Sequence, residues 1–320
     1  MMFFMKTTKG IGVLIIIVSF FMCGVCDAQG VDEQLVVEFH CLRGQVDWLD
    51  GRYDNAISEF NEAIELNPKH ALAYEGRGYV YFLKGNYDRA ISDYNKAIEI
   101  DPNCAEAYFD KGEVYWSNGQ YDNAISEFNR AIEVFPKYAG AYHFRGISYF
   151  RKGQYDKAIS DTNKAIEIYP EYAEAYESRG YVYFLIGYYD KAISDYDKAI
   201  EIDPKCAEAY YARGDVYWSN GKDDNAISDC NKAIDIDLEC AEAYYATGKA
   251  CLSHGEYSNA ITEFNKAIEI YPRYSKVYNS LGDAFKTIGQ IEKACTSWKK
   301  ACELGDCNRY NSSKMGGDCE

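Results

Sequence analysis

Apolar and polar positions repeat along most of this chain with a period of 34 residues, beginning at Val37. Within each period, small or apolar residues recur at places 4, 8 and 11 and again at places 20, 24 and 27. That spacing puts each set on one face of an α-helix, so each period predicts two amphipathic helices. The eight copies of the period are 37–70, 71–104, 105–138, 139–172, 173–206, 207–240, 241–274 and 275–308.

Each copy also predicts a turn and a close contact between its two helices. In copy 105–138, Gly119 is expected to end the first helix, Asp122 to cap the second and Pro136 to stop it. Glycine at place 8 and alanine at places 20 and 27 leave room for the helix axes to approach. The pattern of this copy is carried by Tyr108, Gly112, Tyr115, Gly119, Tyr121, Ala124, Phe128, Ala131 and Pro136.

This spacing resembles the tetratricopeptide repeat, which has the same period. The resemblance implies an all-α fold, a right-handed superhelical solenoid of eight helix-turn-helix repeats over residues 37–308. Residues 29–36 then form a lead-in, and residues 309–320 form a polar tail that contains cysteine. Copies 71–104 and 173–206 differ at only 7 of 34 places, which indicates that a block of three copies was duplicated. Equivalent surfaces are therefore expected three copies apart.

The N-terminal segment has the layout of an export signal. Lys6 and Lys9 precede an apolar run at 11–22, and small residues lead to Ala28. We expect residues 1–28 to be a cleavable signal peptide and the chain to be periplasmic or secreted. The alternatives are a lipoprotein signal and an uncleaved anchor, in which case the protein would contact the membrane through this segment.

The charge balance limits the class of partner. The chain has 50 Asp and Glu against 34 Lys and Arg, a formal net charge of -16. An acidic field repels phosphate backbones, and no basic stripe offsets it, so the sequence argues against nucleic acid. A protein or peptide of basic or apolar character fits better, and self-association stays open.

On the first helix of each copy, places 2, 5, 9 and 12 form one stripe, here called the groove stripe. In the tetratricopeptide family this stripe lines the concave groove, so the resemblance implies that it binds a partner. Aromatic side chains with charged surroundings are typical of binding hot spots. The alternative is that the rings at place 12 only pack between repeats. The predicted aromatic contacts are Trp48, Tyr79, Phe82, Phe109, Trp116, Phe150, Tyr181, Phe184, Tyr211, Trp218 and Tyr245, and the predicted acidic rim is Glu106, Glu174, Glu208 and Glu242.

Opposite charges occur together at places 7 and 23 in six copies. Place 7 is Arg or Lys and place 23 is Asp or Glu, as in Arg77 and Asp93. In the last copy both charges are absent, with Leu281 and Ser297 at these places. The pattern predicts ion pairs between the two helices of a hairpin, because partly buried charges normally require partners. The alternative is a basic track for an anion.

Ten cysteines remain after removal of residues 1–28, and an oxidising compartment favours disulfides among them. Cys302, Cys307 and Cys319 are the candidates. We expect a bridge from Cys307 to Cys319, with a bridge from Cys302 as the alternative, since connectivity cannot be derived from sequence. A separate expectation is that the residues at place 34 lie on the surface; they include Cys104, Cys206 and Cys240.

No pattern of residues indicates an enzyme, a metal site or a cofactor. The four histidines, His40, His70, His143 and His254, lie in different copies, and no catalytic constellation accompanies them. Family members that clamp a partner's terminal carboxylate need lysine at place 5, which no copy has here. The sequence therefore predicts an exported interaction module that binds a peptide or protein segment in an aromatic, acid-rimmed groove. The alternative is a structural or self-associating scaffold of the cell envelope with an unused groove.

Overall fold

The computed structural model describes residues 33–237 and 241–319. These residues form seventeen helices and no strand, which confirms the all-α class. The predicted signal peptide, residues 1–28, lies outside the described residues. The contacts divide the chain after Ile168 into two compact units.

Unit 1 contains the first four hairpins. Its helices are α1 (Glu33–Leu49), α2 (Tyr53–Leu66), α3 (Ala71–Leu83), α4 (Tyr87–Ile100), α5 (Ala105–Ser117), α6 (Tyr121–Val134), α7 (Ala139–Arg151) and α8 (Tyr155–Ile168).

Unit 2 begins at Tyr169 and contains four more hairpins and a short terminal helix. Its helices are α9 (Ala173–Leu185), α10 (Tyr189–Ile202), α11 (Ala207–Ser219), α12 (Asp223–Ile236), α13 (Ala241–Ser253), α14 (Tyr257–Ile270), α15 (Ser275–Thr287), α16 (Ile291–Glu303) and α17 (Asn308–Met315).

The helices follow the register of the sequence repeat. In copy 105–138, α5 occupies places 1–13 and α6 occupies places 17–30. Gly119 lies between them with φ of 72°, a left-handed conformation that glycine adopts at little cost. The first copy differs because α1 begins at Glu33, inside the predicted lead-in.

Glycine at place 8 is needed because the ring at place 24 lies directly against it. A Cβ atom on Gly112 would lie 2.5 Å from the ring of Phe128, and one on Gly248 would lie 2.5 Å from Phe264. Both rings are completely buried. A larger residue at Gly112 or Gly248 would therefore force the ring or the helix to move.

The six ion pairs predicted between places 7 and 23 are all present, with N···O distances between 2.6 and 3.0 Å. Because each basic side chain at place 7 is paired with an acid of its own hairpin, these side chains do not form a basic track for an anion. The pairs are Arg43 with Glu59, Arg77 with Asp93, Lys111 with Glu127, Arg145 with Asp161, Arg179 with Asp195 and Arg213 with Asp229.

Some of these arginines also join neighbouring hairpins, a contact that the sequence analysis missed. Arg77 donates to Asn61 Oδ1 at 2.6 Å, and Arg145 donates to Asn129 Oδ1 at the same distance. Each acceptor lies at place 25 of the preceding copy. One guanidinium therefore links three helices.

The residue at the cap position of α6 is Gln120 and not Asp122, and it forms no side-chain cap hydrogen bond. Asp122 instead pairs with Lys152 at place 14 of the next copy, and Asp54 pairs with Lys84 in the same way at 2.8 Å. The carboxylate at this place serves the contact between hairpins, which a single copy read alone does not reveal.

Two disulfides hold the C-terminal end, and the expected bridge between Cys307 and Cys319 is wrong. Cys319 is bonded to Cys295, and Cys307 is bonded to Cys302. The turn at Gly305 brings Cys307 back to the end of α16. Helix α17, formed by residues predicted to be a polar tail, then carries the chain back along α16 so that Cys319 reaches Cys295.

The expectation of surface cysteines at place 34 is wrong for Cys104, which is buried. Cys206 is half-buried, and Cys240 lies outside the described residues. Cys104 packs against Ala97 and Ala107 at the start of α5, so the end of each copy belongs to the contact with the next one.

No helix within residues 33–237 or 241–319 combines the length and the apolar content needed to cross a membrane.

Candidate functional site

The first helices of neighbouring copies contact one another within each unit, as α3 contacts α1 and α5. The groove stripe therefore continues from copy to copy along one side of a unit. Its shape follows from the placement of the helices, and its chemistry follows from the side chains at places 2, 5, 9 and 12.

In unit 1 the predicted aromatic residues are half-buried and pack on one another. The rings of Trp48 and Tyr79, from adjacent copies, lie 4.4 Å apart, and Phe82 lies 6.2 Å from Tyr79. The rings are tilted relative to one another, and each stays partly exposed.

Farther along unit 1, the predicted rings are more deeply engaged. Phe109 contacts Phe128, Tyr138 and Phe144, with centroids 4.9 to 5.7 Å apart, and Trp116 contacts Phe144 at 5.9 Å. These contacts give Phe109 and Trp116 a packing role between copies. Phe150 lies near the end of α7, 6.0 Å from the ring of Tyr155.

In unit 2 the most exposed ring of the stripe is Tyr181, with 46% of its surface accessible. Phe184 packs on Tyr189 at 6.1 Å. Tyr211 is largely buried, and desolvation raises its pKa. Trp218 is covered by the side chain of a lysine, as described below.

Tyr245 ends the aromatic series and is half-buried. Its ring lies 5.9 Å from Phe264 and 5.4 Å from Tyr274, and its hydroxyl lies 3.4 Å from Ser280 Oγ.

The residues of the predicted acidic rim differ in their exposure to solvent. Glu106 is half-buried, and the exposed members are Glu174, Glu208 and Glu242.

A carboxylate cluster in unit 1 was missed by the sequence analysis. It consists of Glu75 on α3 and of Asp110 and Glu113 on α5, whose charges all act on the hydroxyl of Tyr94. Burial, together with the smaller effect of these three charges, holds the pKa of Tyr94 well above its usual range. Tyr138 has a raised pKa as well, because of burial and the charges of the same carboxylates with Glu106.

Glu113 is a carboxyl group of this cluster with a perturbed pKa. Burial raises its pKa to about 7. In the described part of the chain it has neither an ion pair nor a hydrogen bond. A carboxyl group in this state is close to half ionised at neutral pH and would gain from any cation placed beside it.

Unit 2 has a related arrangement 102 residues later, in which Ala212, Tyr245 and Lys249 stand at the positions of Asp110, His143 and Ile147. Asp215 takes the position of Glu113, and it is paired with Lys249 Nζ at 3.2 Å. The same ammonium lies 5.6 Å from the ring of Trp218 and 5.3 Å from that of Tyr245. In unit 1 the position of Lys249 is held by Ile147, which carries no charge.

The sequence did contain a signal for these two sites. Place 9 is Tyr79 in the second copy and Ile147 in the fourth, but it is acidic in the third, sixth and eighth copies, at Glu113, Asp215 and Asp283. An acid at a place that holds an aromatic residue in other copies, such as Tyr79 and Tyr181, is a departure from the repeat. Its partner could not be derived, because it lies in a different copy.

Other chemistry is absent from the described residues. Within 33–237 and 241–319, no three His, Cys, Asp or Glu side chains are placed to share a metal ion. His143, at place 5, is buried, and the other residues at place 5 include Glu75 and Glu177 but no lysine.

Family models match the repeat over most of the chain. The model described as TPR repeat matches residues 44–85, 78–119, 183–221 and 248–289. Two models described as Tetratricopeptide repeat match residues 99–142 and 109–173, and residues 207–240 and 275–304. The chain belongs to the tetratricopeptide repeat family. No curated protein matches it in sequence.

Solved structures share the fold. A tetratricopeptide repeat protein from Parabacteroides merdae ATCC 43184 is 20% identical with a TM-score of 0.61, over 78% of this chain and 99% of that one. The Cut9–Hcn1 hetero-tetramer of APC/C is 14% identical with a TM-score of 0.64, over 90% of this chain and 56% of that one. YrrB, described as a TPR protein with an unusual peptide-binding site, is 28% identical with a TM-score of 0.48, over 58% of this chain and 96% of that one.

Family membership places the chain among protein–protein interaction modules, a class of scaffolds that is generally non-enzymatic.

Proposed function

We propose that this protein is an exported interaction module and that it binds a peptide or protein segment along the groove stripe. The observation that carries the proposal is the run of half-buried aromatic rings in each unit, with exposed Tyr181 in unit 2 and acidic residues beside the rings. Partly exposed rings lose little side-chain entropy on binding, which makes them effective anchors.

Export is supported by two features of the chain. Residues 1–28 have the composition of a signal peptide. The two disulfides, Cys295–Cys319 and Cys302–Cys307, suit an oxidising compartment, periplasmic or extracellular. If the N-terminal segment is retained, the protein is anchored to the membrane through it.

The charge favours a basic or apolar segment over an acidic one. Glu174, Glu208 and Glu242 are exposed at place 2 of successive copies in unit 2, so they repeat along the stripe and repel a partner of the same sign.

The experiment is selection of ligands from a library of random peptides displayed on phage, followed by affinity measurement with the purified, oxidised protein. Tyr181→Ala removes an exposed ring of the stripe. Tyr188→Ala removes an equally exposed ring, 54% accessible, from the turn of the same copy and serves as the control. We expect Tyr181→Ala to weaken the selected peptide by about tenfold, the scale of a hot-spot residue, and Tyr188→Ala to leave it unchanged.

Two results would contradict the proposal. One is failure to select any peptide. The other is equal loss of affinity in both variants. If the protein also forms oligomers that neither substitution affects, the alternative of a self-associating scaffold with an unused groove is favoured.

A further inference from the structure

We propose that the carboxylate cluster of unit 1 binds the cationic end of a lysine or arginine side chain carried by the partner segment. The inference rests on the proposed function, since it names what that segment presents to the groove stripe between α3 and α5.

The first support is a buried hydroxyl without a partner. Tyr94 is completely buried, with its ring against Gly78 and Val114. Among the described residues its hydroxyl forms no hydrogen bond, although the charges of Asp110 and Glu113 lie within electrostatic range. An unsatisfied buried hydroxyl costs free energy, and an incoming N–H group would satisfy its oxygen.

The second support is the state of Glu113. Its carboxyl group is buried and has no cationic partner in the described part of the chain. A partly buried carboxylate normally carries a counter-charge. The charge of Glu113 acts on the hydroxyls of Tyr94 and Tyr138, on which Glu75 and Asp110 act as well.

The third support is the internal ion pair found at the equivalent position of unit 2. In unit 2, Lys249 pairs with Asp215 and lies over the rings of Trp218 and Tyr245. A carboxylate with two aromatic faces is a favourable site for an ammonium group. Lys249 therefore shows how a basic side chain occupies place 9 of the groove stripe.

Unit 1 keeps the acid and the tryptophan of that arrangement but lacks the lysine. Glu113 and Trp116 correspond to Asp215 and Trp218, and Ile147 stands where Lys249 would be. Unit 1 therefore supplies no cation of its own from this position. The formal net charge of -16 attracts such a segment from solution.

The test uses a short, blocked, fluorescein-labelled peptide of alternating lysine and alanine, and the same peptide with every lysine acetylated. Binding to the full oxidised chain is measured by fluorescence anisotropy at pH 8, where Glu113 is mostly ionised. We expect the lysine peptide to bind at least about tenfold more tightly than the acetylated one. An arginine version is expected to behave as the lysine version does.

Variants then locate the site. Glu113→Gln should weaken the lysine peptide by about tenfold. Glu62→Gln removes the same charge from an exposed position on α2 and should change affinity by less than about twofold. Ile147→Lys places an internal cation beside Glu113 and should block the peptide, whereas Ile147→Gln should not. Helical content measured by circular dichroism verifies that each variant is folded.

Equal weakening by Glu113→Gln and Glu62→Gln would reduce the effect to a general acidic field and overturn the inference. Equal binding of the acetylated peptide would overturn it as well. Neither result contradicts the proposed function if the affinity of a phage-selected peptide still depends on Tyr181. Loss of that dependence would instead count against the proposed function itself.

Discussion

Arg77 and Asp93 are joined by two parallel hydrogen bonds, each 2.8 Å long, between the two helices of one hairpin. The guanidinium also lies 5.5 Å from the ring of Tyr74 and donates a third hydrogen bond to Asn61 of the preceding copy. Both charged side chains are largely excluded from water. This one group holds a hairpin closed and fastens it to its neighbour.

Arg77→Met is therefore expected to lower the free energy of unfolding by about 3–5 kcal/mol, because it leaves Asp93 buried without a counter-charge. Arg43→Met is the matched control, since Arg43 occupies the same place but 51% of its side chain is exposed. It should cost at most about 1 kcal/mol. Urea unfolding followed by circular dichroism measures both, and equal costs would contradict the role assigned to burial.

Ala192 at place 20 is completely buried where two helices meet. Ala192→Leu should overpack the hairpin and lower stability by about 1–3 kcal/mol. Ser194→Leu adds the same side chain at an exposed place on the same helix and should change stability by no more than about 0.5 kcal/mol. An unchanged melting curve for Ala192→Leu would show that the helix contact tolerates a larger residue.

The raised pKa of Glu113 predicts a pH-dependent loss of stability. Near pH 4 the carboxyl group is protonated in both the folded and the unfolded chain. As the pH rises from 4.5 to about 7, the unfolded chain ionises Glu113 while the folded chain holds it neutral, so the free energy of unfolding falls.

Glu113→Gln should therefore match the wild type near pH 4 and exceed its stability by about 1–3 kcal/mol at pH 8. Glu62→Gln should show no such divergence, because Glu62 is exposed. Urea titrations at a series of pH values measure the difference. A constant difference between wild type and Glu113→Gln at all pH values would mean that Glu113 ionises normally in the folded state.

Lys249→Gln should open the second site of the chain. Without the ammonium, Asp215 loses its partner and resembles Glu113 in unit 1. Calorimetry with the short lysine peptide should then give two bound peptides per chain in place of one. Lys266→Gln is the control, since Lys266 pairs with Glu263 and lies against Tyr244 on another part of unit 2. An unchanged stoichiometry of one peptide per chain would contradict the idea that Lys249 occupies a second binding site.

Cys319→Ser should destabilise unit 2 and remove part of its response to reductant. The bridge to Cys295 closes a loop with a sequence separation of 24, and loops of this length contribute about 2–4 kcal/mol in typical proteins. Cys251→Ser changes an unbridged cysteine and serves as the control. Thermal unfolding with and without dithiothreitol measures both. Equal sensitivity to reductant in Cys319→Ser and the wild type would contradict the assigned connectivity.

Features set within one copy could be predicted from the sequence. Gly112 beneath Phe128, Gly119 in the turn and the pairing of Arg77 with Asp93 all depend on residues less than one period apart, and eight copies show the pattern repeatedly. The all-α class follows from the same repetition.

Features set between copies could not be predicted in the same way. The bond from Arg77 to Asn61, the pairing of Asp122 with Lys152 and the approach of Lys249 to Asp215 depend on how one hairpin lies on the next. The repeat pattern does not specify that placement. The disulfides depended on α17, whose short polar sequence has no counterpart in the repeat.

Helix α17 contacts α16, where Ala294 and Trp298 are buried together with Cys319 and beside Tyr310. Arg309 and Asp318 tie the same segment to Asp283 and Lys286 on α15. A further hairpin of the same design would need this apolar surface for its own packing. This surface is instead covered by a helix that a disulfide fastens to α16, so it is not available to pack a further hairpin.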